Sequence, residues 1–181
     1  MQRRKGLNQV ISTLILLVVT MLIALIVTYY STNVTTSRTQ VEDIAFSKLH
    51  VWINSTGAVA AFKLQNLGGR DILIDKFTVR GVEESWSDIY YYRVPYRTSI
   101  DGDMNVTSYS YLSGASVTID SKVFNQSTAD ISLISGGELL VYIKGPDNVQ
   151  MADLGKAISI TALTNNAQYI TECNAESGTK Q

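Results

Sequence analysis

The feature that most constrains this chain is a long uncharged segment close to its beginning. After Lys5 the next charged residue is Arg38, and the residues from Val10 to Tyr30 are predominantly apolar. A helix over those positions would extend about 32 Å at ~1.5 Å per residue, which matches the ~30 Å hydrocarbon core of a bilayer. The segment therefore predicts a helix of membrane-spanning length.

The charges on the two sides of this segment differ in sign. Residues 1–6 hold three of the 15 Lys and Arg and none of the 16 Asp and Glu, so the remainder has 12 basic and 16 acidic residues, a balance of −4. A short basic segment stays on the cytoplasmic side of a membrane, which places the rest of the chain outside. An acidic body without a basic stripe also argues against binding to nucleic acid.

Three kinds of processing are compatible with an apolar segment at this position. An ordinary secretory signal has an apolar core of about 7–15 residues followed by a small-x-small cleavage site, and 27–33 contains no such site. An uncleaved signal anchor fits both the length and the charge. The third possibility is cleavage before the apolar segment, between Gly6 and Leu7.

The order of a basic block, a glycine and an apolar helix resembles the class III signal peptide of archaeal type IV pilins and archaellins. The basic block is Arg3, Arg4 and Lys5, and Gly6 and Leu7 follow it directly. The resemblance covers the first 30 residues and implies cleavage after Gly6 by a prepilin peptidase. Bacterial members carry a glutamate at the fifth mature position, where this chain has Ile11, so the resemblance is to the archaeal branch.

The resemblance also implies that the helix polymerises. Loss of residues 1–6 removes three positive charges from the end of an apolar rod, which can then leave lipid and pack against identical rods. The hydroxyls of Ser12, Thr13, Thr20 and Thr28 either contribute to close packing or bond to carbonyls one turn earlier. The residues expected in the filament core are Val10, Ile11, Leu14, Ile15, Leu17, Val18, Leu22 and Leu25.

Beyond residue 40 the period of the apolar residues falls to two, which is typical of β-strands. The alternating sets are Ala60, Phe62 and Leu64; Val117 and Ile119; Leu139, Val141 and Ile143; and Ile158, Ile160 and Ala162. Gly- and Asn-rich turns separate them. The sequence therefore predicts an α+β protein, a long hydrophobic N-terminal helix followed by an antiparallel immunoglobulin-like β-sandwich. The expected divisions are a cleaved peptide at 1–6, helix and neck at 7–40, and an outer domain at 41–181.

Three local expectations accompany that fold. Leu73, Phe77 and Val79 should share one face of a strand. Pro95 should confine the aromatic strand of 89–96 to a sheet edge. The pair at 165–166, Asn-Asn, should supply the positive φ angles of a tight hairpin.

Four Asn-x-Ser/Thr sequons occur, at Asn33, Asn54, Asn105 and Asn125. In a domain placed outside the membrane they predict N-glycosylation wherever the asparagine is exposed. Asn105 and Asn125 are the favoured sites because they lie in polar, loop-like segments. Asn33 lies in the neck, which a filament would crowd.

Seven aromatic residues cluster in the middle of the chain: Trp86, Tyr90, Tyr91, Tyr92, Tyr96, Tyr109 and Tyr111. Tyrosine gives large, stiff contact areas, so the cluster is compatible with contacts between subunits or adhesion to sugars or surfaces. Packing within the β domain explains it equally simply.

The sequence offers little for catalysis, and no cofactor or metal is predicted. His50 is the single histidine and lies in an alternating strand pattern, where a solvated position on a strand face is expected. Asp101-Gly102-Asp103 lacks the later ligands of a calcium loop. Because Cys173 is the single cysteine, no intramolecular disulfide can form. Cys173 is expected to be semi-buried, with a disulfide between two molecules as the alternative.

These observations predict a non-enzymatic subunit of an archaeal type IV pilus-like filament, made in the membrane and assembled outside the cell for adhesion or contact. Its expected partners are identical subunits, a prepilin peptidase, the assembly machinery, and an S-layer, glycans or surfaces. Two alternatives remain: an archaellin, or a membrane-anchored immunoglobulin-like accessory protein of the archaellum that binds the S-layer. The anchored protein would not need the motif at Gly6.

Overall fold

The computed structural model describes residues 3–39, 41–98 and 100–178, with helix side chains described for 8–36. The chain divides into a helical unit, 1–41, and a β unit, 42–181. The helical unit is one α-helix, α1, from Arg3 to Thr39. This confirms the apolar N-terminal helix and extends it through the Ser- and Thr-rich neck.

The described part of the β unit contains eleven strands, more than the seven or so that the sequence pattern indicates. Short 3₁₀ turns lie at Trp86–Asp88 and Met151–Asp153. The strands are β1 (Ile44–Asn54), β2 (Gly57–Asn66), β3 (Ile72–Val79), β4 (Val82–Glu83), β5 (Ile89–Arg93), β6 (Ser116–Ile119), β7 (Lys122–Gln126), β8 (Ile131–Leu133), β9 (Glu138–Lys144), β10 (Ala157–Thr164) and β11 (Gln168–Ser177).

All eleven strands belong to one sheet. Its order is β4-β3-β10-β11-β1-β2-β9-β5-β7-β6, with β8 paired to β3. The pairs are antiparallel except β1 and β11, which run parallel where Val51 lies beside Ala175. The sheet curls into a half-barrel. The mostly antiparallel sheet is therefore confirmed, whereas the immunoglobulin-like sandwich is not.

Curling brings two arms of the sheet together around a first core layer. This layer combines Phe77 of β3 and Ile160 of β10 with Phe62 of β2 and Val141 of β9, all fully buried. The aromatic rings lie in contact, with the Phe62 and Phe77 centroids 5.5 Å apart. Burying apolar area on this scale supplies the main driving force for the fold.

A second core layer lies on the opposite face of β1, β2, β9 and β5. Trp52, Ala61 and Tyr142 contribute to it from the sheet, while Leu112 and Phe124 cover them from the 94–115 segment and β7. Strands β2 and β9 are thus buried on both faces, which explains why their residues are apolar at consecutive as well as alternate positions.

Two of the local expectations at the level of single strands are wrong. Leu73 is 38 % exposed while its neighbours Ile72 and Ile74 are buried. The cause is a bulge: Thr164 pairs with Ile74 but Leu163 pairs with Lys76, so one extra residue reverses the alternation within β3. Strand β5 lies between β9 and β7 instead of at an edge, because Pro95 follows the strand and removes no ladder hydrogen bond.

The hairpin between β10 and β11 is confirmed, but its turn differs from the prediction. Asn165 and Asn166 are not among the residues with positive φ. The Thr164 hydroxyl oxygen instead accepts hydrogen bonds from the backbone N–H of Asn166 and Ala167. Two-residue turns with positive φ at both residues occur instead at Arg80-Gly81, with φ of 49° and 81°, and at Asp120-Ser121, with φ of 49° and 60°. Positive φ at both residues is typical of the type I′ turn, whose twist matches that of the flanking strands.

Candidate functional site

The surface of α1 is the most unusual surface in the described structure. Asn8–Thr36 is long and apolar enough to cross a membrane by its length and composition. The eight residues predicted for a filament core are all exposed, by 47–67 %, and at ~3.6 residues per turn they lie on one side of the helix. Further exposed apolar residues cover the other side: Leu16, Val19, Ile23 and Val27. An evenly apolar helix requires an apolar environment on every side, which either lipid or neighbouring helices would provide.

Several threonine hydroxyl groups on α1 form hydrogen bonds within the helix. Thr13, Thr20 and Thr28 donate hydrogen bonds to the carbonyl oxygens of Val10, Leu17 and Ala24, at 2.9, 2.9 and 2.8 Å. Back-bonding, one of the two alternatives for these hydroxyls, is confirmed for these three. Such bonds make a threonine tolerable in lipid, because its hydroxyl proton has an acceptor within the helix.

The predicted cleavage site lies at the start of α1. The backbone of Gly6 and Leu7 is helical, but the side chains of Arg3, Arg4, Lys5 and Leu7 lie outside the described residues. Cleavage after Gly6 therefore stays a prediction.

The β unit begins with a buried carboxylate that sequence reasoning missed. The side chain of Glu42 is 8 % exposed and lies 3.3 Å from the Arg70 guanidinium. It accepts hydrogen bonds from the Thr164 hydroxyl at 3.0 Å and the Asn166 amide at 2.6 Å. The adjacent Asp43 carbonyl accepts a hydrogen bond from Leu67 N–H. Glu42 thus ties the first residues of this unit to the β2–β3 and β10–β11 loops.

The four sequons differ in environment. Asn33, Asn105 and Asn125 are exposed, whereas Asn54 is half-buried. The Asn54 side-chain oxygen accepts hydrogen bonds from the Thr56 and Gly57 backbone N–H groups and so shapes the β1–β2 turn. Asn105 lies in a loop as expected, but Asn125 lies on β7. Glycosylation of any of them stays a prediction.

His50 lies in a charged cluster, and the expectation of a solvated histidine is wrong. Its side chain is 20 % exposed, with Nε2 3.0 Å from an Asp103 oxygen and Nδ1 3.5 Å from a Glu176 oxygen. The ring stacks on Trp52, with centroids 5.1 Å apart. Partial burial would raise the pKa of Asp103, but hydrogen bonds from His50 and the Met104 N–H lower it below its usual value. The cluster ties the 100–104 loop to β1.

Two clefts flank the segment that follows β5. The acidic cleft, of about 270 Å³, is bordered by Asp101, Asp103 and Asp120 over a floor that includes Phe124 and Tyr142. Within the described residues, no group of three or more His, Cys, Asp and Glu side chains is arranged to hold a metal ion.

The second cleft carries the opposite charge. This arginine groove has a volume of about 510 Å³ and includes Arg93, Tyr96 and Arg97 on one side and Ser132 and Ile134 on the other. No sequence motif pointed to it, because the two sides come from β5 and from the β8–β9 region, which are distant in sequence.

The aromatic cluster divides between packing and exposure. Tyr90 is buried, and Trp86, Tyr91, Tyr92 and Tyr109 pack partly buried against the two core layers. Tyr96 and Tyr111 are 77 % and 52 % exposed. Domain packing therefore accounts for most of the cluster, and Tyr96 is its most exposed member.

Burial raises the pKa of two further titratable groups, the Cys173 thiol and the Glu84 carboxyl. Cys173 is half-buried against the first core layer, as expected, and burial next to Glu176 raises the pKa of its thiol to about 11. An undissociated thiol is a poor nucleophile. Burial, together with Asp147 and Asp88, raises the pKa of Glu84 to about 7.

No protein-family model matches this chain, and no curated protein matches it.

Proposed function

We propose that this chain is a structural subunit of an archaeal type IV pilus-like extracellular filament. The observation that carries the proposal is the surface of α1: 8–36 contains no charged residue, and its apolar side chains are exposed all around. A single lipid-anchored helix satisfies that surface, and so does a bundle of identical helices. The basic block and Gly6, placed just before it, favour a helix that is stored in lipid and then polymerises.

In this proposal the precursor is held by its positive end on the cytoplasmic side. Cleavage after Gly6 removes Arg3, Arg4 and Lys5. Transfer of the helix from lipid into the apolar filament core then no longer requires burying those three charges. The internally bonded hydroxyls then let α1 exchange lipid for neighbouring helices without losing a hydrogen bond. Van der Waals packing between the rods would hold the filament core.

The β unit forms the outer surface of the filament in this proposal. Its separate core supports that role, because the first and second core layers are complete within 42–181. We also propose that this unit is a variant of the immunoglobulin-like sandwich. Two arms of its curled sheet enclose an apolar layer, as the two sheets of a sandwich do. Adhesion or contact between cells would then depend on exposed groups such as Tyr96.

The test is the amino terminus of the protein isolated from its native cell, in filament and membrane fractions. We expect filaments to contain chains that begin at Leu7. Gly6→Leu should leave the full precursor in the membrane and abolish filaments, while Gly102→Leu, at an exposed glycine with open space around it, should leave filaments intact. Filaments built from uncleaved chains would contradict the proposal.

The second candidate is the anchored accessory protein of the archaellum. It is favoured by the same helix, which is long enough to remain in the membrane. Chains that keep Met1 and occur only in the membrane fraction would support it. If the chain is this anchored protein, Gly6→Leu should not change its amino terminus or its location in the membrane, in contrast to the filament hypothesis.

A further inference from the structure

The arginine groove combines two guanidinium groups and a highly exposed ring. Arg93 lies with its guanidinium carbon 5.5 Å from the Tyr91 ring centroid and donates a hydrogen bond to the Ser132 hydroxyl at 3.2 Å. Arg97 lies 5.4 Å from the centroid of Tyr96. Stacking of this kind holds a guanidinium in a defined orientation while its N–H groups stay available.

Neither arginine is neutralised by a side chain that the structure describes. Among the described residues, no carboxylate forms an ion pair with Arg93 or Arg97. The one glutamate that borders the groove, Glu138, is bound by Lys63 at 2.8 Å. The groove is therefore positive on a body whose overall balance is acidic. An anionic ligand complements it.

The backbone at Arg97 supports a role for that side chain. Thr98 N–H donates to the Pro95 carbonyl at 3.0 Å, which closes a turn, and Arg97 occupies its third position with φ of 65°. Glycine or asparagine adopts that conformation with less strain. Residues whose backbone is held in such a sparsely populated conformation cluster at functional sites, ligand-binding sites among them.

We propose that the arginine groove binds an anionic polysaccharide, with the two guanidinium groups on its carboxylates and the Tyr96 ring against a sugar face. This deepens the adhesive part of the proposed function and rests on it. The volume lies within the usual range for ligand sites, about 300–1,000 Å³. The planar guanidinium matches a carboxylate through paired hydrogen bonds. The exposed faces of Tyr96 and Ile134 provide the apolar contact that a simple anion would not need.

An acidic peptide, for example from a second protein, is the competing ligand. Its carboxylates also pair with arginine, but an acidic peptide has no sugar ring that could stack on the Tyr96 ring. The dependence of affinity on Tyr96 therefore separates the two classes.

The experiment measures binding of full-length protein, in detergent or as filaments, to fluorescent tetragalacturonate. A neutral maltotetraose and a tetraglutamate peptide serve as comparison ligands. The double variant Arg93→Gln/Arg97→Gln is matched by Lys76→Gln/Lys122→Gln, which removes the same charge from two lysines elsewhere on the β unit, each paired with a carboxylate that is mostly exposed. Thermal unfolding of each variant checks that the fold is retained.

We expect the arginine variant to lower affinity for tetragalacturonate at least about tenfold and the lysine variant to change it less than about twofold. Tyr96→Ala should weaken tetragalacturonate binding severalfold and leave tetraglutamate binding unchanged. The proposal is overturned if tetragalacturonate fails to bind, if both double variants lose affinity equally, or if tetraglutamate binds better than tetragalacturonate. None of these outcomes bears on N-terminal processing. Failure of the ligand proposal would therefore leave the filament hypothesis standing, since that hypothesis is tested separately by the amino terminus of the native protein.

Discussion

Helix α1 and strand β2 are both strongly apolar, yet their side chains have opposite environments. Ala58, Ala60 and Phe62 of β2 are at most 2 % exposed, whereas Leu16, Leu22 and Leu25 of α1 are more than half exposed. The difference arises from hydrogen bonding. An α-helix satisfies its backbone within itself, so α1 needs no pairing with another segment to satisfy its backbone hydrogen bonds. A strand must pair with others, and those neighbours bury its side chains.

This comparison shows why hydrophobicity alone does not identify a core. In the β unit, apolar residues stabilise the fold of this chain. On α1 they create a surface that remains to be covered by lipid or by other molecules. Substitutions that are equivalent in chemistry should therefore differ in effect between the two regions.

The largest expected effect comes from replacing one large apolar side chain by alanine in each region. Phe62→Ala should lower the free energy of unfolding of the β unit by about 3–5 kcal/mol, because it leaves a cavity beside Phe46 and Phe77. Leu22→Ala should change it by less than about 0.5 kcal/mol, since a side chain exposed on α1 fills no cavity. Denaturant unfolding followed by tryptophan fluorescence reports this directly, because both tryptophans, Trp52 and Trp86, belong to the β unit. Equal losses from the two variants would break the comparison.

A smaller effect is expected where the β unit begins. Glu42→Ala removes a buried carboxylate and leaves Arg70, Thr164 and Asn166 without their partner, so we expect a loss of about 2–3 kcal/mol. The control is Glu83→Ala. Glu83 pairs with Lys76 at 3.2 Å but is 62 % exposed, and such pairs contribute about 0–1 kcal/mol. Urea unfolding of both variants checks the prediction, which fails if Glu83→Ala costs as much as Glu42→Ala.

The smallest effect depends on pH. Glu84 is 7 % exposed, one carboxylate oxygen lacks a hydrogen-bond partner, and burial raises its pKa from 4.5 to about 7. Because the folded state holds this proton more tightly, its contribution to stability is complete below about pH 4.5 and is lost as the pH rises through 7. Glu84→Gln should therefore be more stable than the parent at pH 8, by about 1–2 kcal/mol, with a smaller difference at pH 5.

Thermal unfolding between pH 5 and 8 measures this dependence for the parent, Glu84→Gln and the exposed neighbour variant Glu83→Gln. The control should follow the parent at every pH. A constant difference between the parent and Glu84→Gln would show that the carboxyl of Glu84 does not titrate in this range.

Local patterns predicted the elements that depend on nearby residues. The alternation of Leu139, Val141 and Ile143 correctly predicted β9, and the hairpin into β11 was also predicted. The predictions were wrong where pairing with a strand distant in sequence changes the alternation of a strand or its position in the sheet. The bulge in β3 exists because β10 pairs with it out of register, and β5 is internal because β7 folds back beside it. Neither partner is visible in the local sequence.

The candidate sites follow the same division. The proposed cleavage motif and the helix each consist of contiguous residues, so these residues could be named from the sequence. Glu42 was missed because its partners, Arg70, Thr164 and Asn166, are brought to it from two loops. The arginine groove was missed because Arg93 and Ser132 meet only across the folded sheet.

The sequence by itself determined α1, the absence of charged residues from 8–36 and the presence of a strand-rich unit after the helix. These properties follow from residues within a few turns or a few alternations of one another. Only the tertiary structure decided that one curled sheet has a core layer on each face, that β1 and β11 run parallel, and that Arg93 and Arg97, beside the exposed Tyr96, form no ion pair within the described residues. Each of these depends on contacts between segments far apart in the chain, where closure of long loops and the satisfaction of buried groups select one arrangement among many.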